Sequence, residues 1–388
     1  MGRLYQRIIA LFLGLLLCVV PASAQGEENG DSSDQEEIQE MLEEQYSAAG
    51  ADELVDQAPQ EAQDLYEQAQ QEPLTPGDIL TFSPSKLWNL CVTALKDTIK
   101  QPLVSLLSIL GVLLLCAFFQ GLKGSLWSGS LSGIYNTVSV LSISGFILVP
   151  MVDCISRTAQ AIHNCSTFLL AYVPVFTTVI ASGGQPVTAG TYHLFLLGAC
   201  DLVGQVASNL LIPLMGIYLA LCVVGSANPG INITGMAETI RKVVTWTMGF
   251  LVTLFVGLLS VQTFVASGTD GLAVKTTKFF ISNFIPVVGS ALSDAYTTAQ
   301  GCMKVLKASV GAYGILTAAI TFLPTLISVL VWNATAHLGA VAAEIFDLTQ
   351  ISRVLKATAN AMGVLVAMIF CFALLLIVAT TVVILPST

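Results

Sequence analysis

Charged residues are scarce in this sequence. They make up 10% of the 388 residues, and hydrophobic residues make up 54%, whereas soluble domains carry roughly 25% charged residues. Residues 103–385 are a succession of apolar segments, each about as long as one membrane span. Because ~20 apolar residues cross the ~30 Å hydrocarbon core as a helix, the composition excludes an ordinary soluble domain and predicts a polytopic membrane protein.

The motifs of common enzymes and metal sites are also missing. The sequence has no phosphate-binding loop, no HExxH and no nucleophile elbow, and each of these chemistries needs its residues at a fixed spacing. The nine cysteines include no CxxC pair and the three histidines are scattered, so no cluster has metal-site spacing. We therefore expect no enzymatic activity, no cofactor, no metal and no nucleic-acid partner.

Basic residues are absent from one long segment near the start of the chain. Residues 25–85 contain 17 Asp and Glu and no Lys or Arg, so anionic lipid headgroups repel this segment. Its composition favours a flexible acidic leader over residues 25–82. A few apolar residues within 38–46 have helical spacing, which leaves open a short helix that docks on a partner. The net charge of −10 belongs to this leader, because the chain from Lys86 onward carries 13 Lys and Arg against 8 Asp and Glu.

Residues 1–24 have the three parts of a secretory signal peptide. Arg3 and Arg7 give a positive start, residues 8–20 form a short apolar run, and the Ala-Ser-Ala at 22–24 offers a small-residue cleavage site. We expect cleavage after residue 24. The alternative is an uncleaved anchor of the same orientation, and in both cases the leader is exported.

An amphipathic helix is predicted over residues 83–101. Ser83 suits the cap and Pro84 the first position of a helix. Apolar residues follow at i, i+3, i+4 spacing, three lysines lie off that stripe, and Trp88 is near its start. Such a helix lies on a membrane surface, and a core helix of a small soluble domain is the alternative. Pro102 is expected to break it.

Seven apolar segments predict an all-α transmembrane bundle of six to eight spans over residues 102–388. The segments are 103–119, 134–152, 167–182, 194–224, 243–266, 308–332 and 361–385. Pro174, Pro213 and Pro324 lie inside three of them, which is tolerated where neighbouring helices satisfy the freed backbone groups. The Lys and Arg distribution does not decide between two topologies that differ in whether 167–182 crosses the membrane, because each places one group of four basic residues inside and the other outside.

Asp201, Gln205 and Asn209 form a candidate polar face within segment 194–224. They are spaced i, i+4, i+8 and so lie on one side of a helix. A carboxylate at mid-bilayer costs ~2.5–3.5 kcal/mol on insertion scales, so such groups usually face a bundle interior or a wet cavity. One interpretation is a pore or proton-linked site. The other is hydrogen bonding between helices, worth ~1 kcal/mol per bond, or a helix end at the interface.

Residues 272–300 are predicted to contain a re-entrant element. The apolar run 279–288 has ten residues, too few to cross at ~1.5 Å per residue, and Pro286 and Gly289 should break it. A turn at 268–271 is expected to separate this element from the preceding span. We expect a helix–break–helix element packed inside the bundle, with the two neighbouring lysines at the interface. A surface amphipathic helix is the alternative.

Three motifs in the region 257–299 resemble a known family. They are SVQ at 260–262, TDG at 269–271 and KFFISNFIPVVGSALSDA at 278–295. With the signal peptide, acidic leader and polytopic body, they resemble the signature region of the stage III sporulation protein AE family, and the layout agrees over nearly the whole chain. The positions that match its motif are Asn283, Pro286, Gly289, Ser293 and Asp294.

The resemblance implies a role in endospore formation. Members of this family lie in the mother-cell membrane around the forespore. With the other proteins of the stage III sporulation A complex and a forespore membrane partner, they form a channel-like complex required for forespore development. We therefore expect a multi-pass cell-membrane protein in contact with lipid, with its leader exported and no catalytic residues. The residues themselves leave open a secondary transporter with broken helices around a midplane polar site.

Overall fold

The computed structural model describes most of the chain beyond the first part of the leader. The described residues are 50–51, 53–68, 75, 84–126, 129–227, 233–284 and 289–384. The predicted signal peptide and the apolar residues at 38–46 therefore lie outside the described residues.

Every regular element in the described residues is a helix. The helices are α1 (Glu53–Asp56), α2 (Gln60–Gln68), α3 (Pro84–Leu126), α4 (Gly129–Ser182), α5 (Pro186–Val206), α6 (Ile212–Ala227), α7 (Thr234–Phe284), α8 (Gly289–Ile345) and α9 (Thr349–Ile384), and a π-helical turn at Ala207–Leu211 joins α5 to α6. This confirms the predicted all-α class.

Six stretches of the described residues are long and apolar enough to cross a membrane. They are Trp88–Gly121, Thr137–Ser182, Pro186–Ala227, Gly235–Phe280, Tyr296–Ile345 and Thr349–Ile384. Six spans is the lower bound of the predicted range of six to eight. The seven apolar segments of the sequence give six spans for one reason. Segments 134–152 and 167–182 lie on a single helix, α4, and not on two.

The middle of α4 is polar on its outer side yet remains helical, because Cys154, Thr158, Ala161 and Cys165 form one buried face through it. Arg157 Nε donates to Asp153 Oδ2 over 2.8 Å at i, i+4 spacing, a pairing that stabilises helices. The composition of this stretch suggested a connection between two spans, whereas the backbone continues through it.

Helices α8 and α9 form the centre of the bundle. In the most apolar part of α9, 78% of the residues are buried, and in that of α8 61% are buried. The corresponding shares are 17% in α7 and 22% in α3. The two central helices are joined by a tight turn in which Asp347 has a φ of 56°. The N–H of Leu348 donates to the carbonyl of Ala343 over 2.8 Å, a pattern that ends helices through one left-handed residue.

Close packing at two glycines holds α4 against this central pair. A Cβ added at Gly314 would lie 2.3 Å from Cζ of Tyr172, and one at Gly311 would lie 2.5 Å from Cδ1 of Ile384. Tyr172 is fully buried and stacks between Phe168 and Phe176, with ring centroids 5.7 and 5.4 Å away. The core is therefore filled by aromatic rings that need a glycine surface opposite them.

Two expected breaks are wrong. Helix α3 continues through Pro102, so the predicted amphipathic helix and the first span are parts of one helix. A proline inside a helix removes one backbone hydrogen bond, here to the carbonyl of Thr98, a residue that lines a polar cavity. Helix α7 likewise continues through 268–271, because Leu259, Thr263, Ala266 and Asp270 form one buried stripe at helical spacing.

The predicted re-entrant region consists of the ends of two long helices. Residues 272–284 continue α7 and residues 289–300 begin α8. Lys278 Nζ donates to Thr297 Oγ1 over 3.0 Å, which brings the two arms side by side. The connection at 285–288 lies outside the described residues, and the depth of this element in a membrane stays a prediction.

The glycine packing leads to a stability prediction. Gly314→Ala should lower the free energy of unfolding by ~1–3 kcal/mol, because the added methyl group overpacks a core whose Tyr172 ring has no room to move. Gly257→Ala is the matched control: Gly257 is exposed with open space around it, and alanine should stabilise its helix by ~0.5–1 kcal/mol. The midpoint of thermal unfolding in detergent measures both changes. Equal midpoints for the two variants would contradict this account of the core.

Candidate functional site

The candidate polar face lies level with the middle of the apolar core. Phe322 and Phe372 are near the centres of the predicted spans 308–332 and 361–385, and their ring centroids are 5.8 Å apart. A Cβ at Gly204 would lie 4.0 Å from Phe372 and 2.9 Å from Ser166 Oγ. Asp201 precedes Gly204 by less than one turn and Gln205 follows it directly, so both residues lie at this central level.

The polar face points away from the bundle. Asp201, Gln205 and Asn209 are all exposed. Gln205 Nε2 donates to both carboxylate oxygens of Asp201, each over 3.0 Å, so the two side chains satisfy one another in part. Their remaining donors and acceptors are directed at whatever surrounds the protein.

The helix that carries this face is interrupted within it, at Asn209. Residues 207–211 form a π-helical turn, and Pro213 follows in the first turn of α6. In a regular helix the Pro213 ring would clash with the carbonyl of Asn209, and we attribute the wider turn to the relief of that clash. Ser208 Oγ donates to the Gly204 carbonyl over 2.6 Å. Turns of this kind occur frequently at functional sites.

The outward direction of the face affects both interpretations drawn from the sequence, a pore or proton-linked site and hydrogen bonding between helices. In the described part of the chain, this face neither lines an enclosed passage nor bonds to another helix. A conduit wall or a helix contact at Asp201 therefore needs a surface that this chain does not itself supply.

The family-motif positions cluster at the junction of α7 and α8. Asn283 is the next-to-last residue of α7, Gly289 is the first residue of α8, and Ser293 and Asp294 lie in its first turns. Pro286 lies outside the described residues. These positions are separate from the polar face on α5.

A second polar site joins α7 to the N-terminus of α5. Asp270 is 2% exposed, and its Oδ1 and Oδ2 accept the backbone N–H groups of Val187 and Thr188 over 3.1 and 2.7 Å. A carboxylate at a helix N-terminus satisfies donors that have no partner within the helix and complements the helix dipole. These bonds attach the outer part of α7 to the start of α5.

Lys307 of α8 completes this junction. It is buried, and its Nζ donates to Gln185 Oε1 over 2.7 Å. Gln185 ends the turn between α4 and α5, in which Gly184 has a φ of +83° and a Cβ would lie 3.3 Å from Gln300 Nε2. Glycine is needed there because other residues rarely adopt this conformation. Four helices are thus linked at one end of the bundle.

The sequence reading missed Asp270 as a buried residue. Gly268 and Gly271 flank it, and this composition favoured a turn. The available signal was the spacing of Leu259, Ala266 and Asp270, which continues one helical face. The partner of the carboxylate is a helix end about eighty residues away in sequence, and local patterns carry no information about it.

These features define a helical membrane protein with six candidate spans. In the described residues no three His, Cys, Asp or Glu side chains come together in a way that could hold a metal ion. The family model described as Stage III sporulation protein AE matches residues 68–387. The chain therefore belongs to the stage III sporulation protein AE family, as the three motifs indicated.

One curated relative is the Stage III sporulation protein AE of Bacillus subtilis (strain 168). It is 28% identical over 216 residues, a match that covers 53% of this chain and 53% of the relative. The match thus spans about half the length of each protein. No solved structure matches the chain.

The Asp270 junction leads to a second stability prediction. Asp270→Asn should lower the free energy of unfolding by ~1–3 kcal/mol, because a neutral amide offers one acceptor oxygen to two N–H groups and directs its NH₂ at donors. Asp201→Asn is the matched control, since that carboxylate is exposed and should change stability by less than about 0.5 kcal/mol. The same thermal measurement in detergent compares them. An Asp270→Asn protein as stable as Asp201→Asn would show that the junction does not hold α5.

Proposed function

We propose that this protein is a membrane component of the channel-like complex that links the mother cell and the forespore. It would act there with the other proteins of the stage III sporulation A complex and a forespore membrane partner, and forespore development would require it. Membership of the family supports a sporulation role. The proposed role is structural and conductive, and it assigns no catalytic step to any residue.

The outward polar face is the observation that carries the proposal of an assembly. A carboxylate exposed to hydrocarbon at the bilayer centre costs ~2.5–3.5 kcal/mol on insertion scales. Contact with another protein, or with water held between two proteins, removes most of that cost. Asp201 and Gln205 are therefore better suited to an assembled complex than to a single chain surrounded by lipid.

An even number of spans supports one of the two topologies. With six crossings, the beginning of α3 and the end of α9 lie on the same side, which we propose is the exported side. The α6–α7 and α8–α9 connections then face the mother-cell cytoplasm, together with Arg241, Lys242, Arg353 and Lys356, as the positive-inside rule favours. This arrangement corresponds to the topology in which 167–182 is not a separate crossing.

A secondary transporter is the second candidate, and the interrupted helix is the observation in its favour. Transporters place broken helices beside their substrate sites near the midplane, and the π turn at Ala207–Leu211 adjoins the polar face. Transport by one chain would require that face to be enclosed, however, and the face is exposed. Solute uptake by the purified protein alone in liposomes would support the transporter over the assembly.

The assembly proposal predicts a graded response at Asp201. In a sporulating strain that lacks the native gene and forms engulfed forespores that fail to mature, the wild-type protein should restore sporulation. Asp201→Leu should not restore it, because leucine removes all polar contacts at the covered face. Leu202→Ala, at the adjacent exposed position, is the control and should restore it. Heat-resistant spore counts, with an immunoblot for protein level, provide the measurement.

Asp201→Asn then distinguishes how the face is used. If Asp201→Asn does not restore sporulation although its protein level is normal, the carboxylate forms a charged wall of a hydrated path. If Asp201→Asn restores sporulation and Asp201→Leu does not, the face forms a hydrogen-bonded contact between proteins. Both outcomes support an assembly. Full sporulation with both Asn and Leu would mean that the face contacts lipid, and the proposal would be wrong.

A further inference from the structure

The described part of the acidic leader is packed against the membrane bundle. Residues 53–68, which comprise α1 and α2 and are called the leader segment below, bury one apolar face. Its buried side chains are Leu54, Ala62, Leu65 and Tyr66. Asp56, Asp64 and Glu67 are on the opposite, exposed face. This amphipathic division is what a helix docked on another surface requires.

Two hydrogen bonds fix the position of the leader segment. Tyr313 Oη of α8 donates to the carbonyl of Leu54 over 3.1 Å, and Asn164 Nδ2 of α4 donates to Glu61 Oε1. The segment therefore lies across α4 and α8, beside residues of the predicted span 308–332. An acidic segment expected to be a flexible exported arm occupies a defined place on the bundle.

A polar cavity of about 340 Å³, open to solvent on one side, lies beside the leader segment. Its lining includes Glu61, Asp64, Asp153, Arg157, Ser328 and Trp332. Charged and hydroxyl groups of this kind hold water, and the volume has room for on the order of ten water molecules. Glu61 Oε2 is buried and has no hydrogen-bond partner among the described residues, and water in the cavity would supply one.

The wall of the cavity on α8 is a weak point of that helix. Pro324 lines the cavity and has no N–H for the carbonyl of Ile320, four residues earlier. Prolines at such positions are where long helices bend. On α4 the opposite wall is the polar stretch that carries the Asp153–Arg157 pair. The cleft between α4 and α8 is thus polar on one side and bendable on the other.

We infer that the leader segment is a stopper: when docked, it covers the deep end of a polar cleft between α3, α4 and α8, where Ser328 and Trp332 are buried, and its release opens that end to solvent. The apolar face of α1 and α2 holds the segment in place, and its acidic outer face stays in water. The cleft reaches Ser328, within an otherwise apolar span, so release exposes polar groups at a depth that the closed protein seals. This inference is independent of the proposed complex, since it concerns one chain only.

Cysteine accessibility in the full-length chain tests the stopper. Ser328→Cys is introduced after the nine native cysteines are replaced, and a membrane-impermeant thiol reagent is added to both faces of liposomes that contain the protein. The leader segment is released by Leu54→Asp with Leu65→Asp, which place carboxylates on its buried face. Gln57→Asp with Gln60→Asp is the matched control, because both glutamines are exposed.

Docking is followed separately in each variant. A Glu61→Cys, Asn164→Cys pair is joined by a short bifunctional thiol reagent, since the native side chains are in hydrogen-bond contact. Ala373→Cys, buried in α9, reports on the integrity of the bundle. We expect slow labelling of Ser328→Cys in the docked protein and in the control. In the released variant we expect an increase on the order of tenfold or more, because labelling follows the population of the open state.

Each of the other outcomes overturns the inference. Fast labelling while the cross-link still forms would show that the docked segment closes nothing. An unchanged rate after the cross-link is lost would show that another element seals the cleft. Persistence of the cross-link despite both new carboxylates would show that the apolar face does not hold the segment. Labelling of Ala373→Cys at the same rate as Ser328→Cys would show that the segment is a structural part of the core and not a stopper.

Discussion

The contact of Tyr172 with the glycine surface of α8 is the constraint on which the rest of the structure depends. Gly314 has no side chain, so the tyrosine ring reaches the α8 backbone, and Gly311 admits Ile384 and Phe176 in the same way. These contacts fill the space between α4, α8 and α9 with aromatic and aliphatic groups. Where these groups fill the space, the close-packed interior leaves no room for a passage, so we expect a passage at the surface of the bundle.

Polar groups are distributed as a filled core requires. Asp270 is a buried carboxylate, and both its oxygens are bonded to the start of α5. The candidate functional groups lie on outer surfaces: the Asp201 face points away from the bundle, and Asp153 and Arg157 of α4 are exposed beside the leader segment. The bonds made by both oxygens of Asp270 mark a structural carboxylate, whereas the exposed Asp201 has only Gln205 as a partner among the described residues.

The all-α membrane class and a range of six to eight spans could be predicted from the sequence, because hydropathy and length are local properties that the bilayer imposes on any chain. Predictions from local composition were wrong about where the helices end. Pro102 and residues 268–271 have the composition of helix ends, yet tertiary packing keeps both stretches helical. Residues 153–167 are polar enough for a loop, yet the buried face that they present to the bundle keeps them helical.

The candidate sites show a similar limit. Spacing placed Asp201 and Gln205 on one face, and the structure adds that this face is exposed. Periodicity identifies a face but not the neighbour opposite it. The role of Asp270 and the docking of residues 53–68 depend on partners far away in sequence, and these partners become visible only in three dimensions.

The surroundings of Asp201 in the assembled state are the most direct test of this account. The measurement is an electron cryomicroscopy structure of the complex purified from sporulating cells and kept in native lipid. The account predicts that protein side chains or ordered water cover the face formed by Asp201 and Gln205, on the outside of the six-helix unit. Lipid acyl chains against Asp201, or a continuous aqueous path through the middle of α4, α8 and α9, would contradict it.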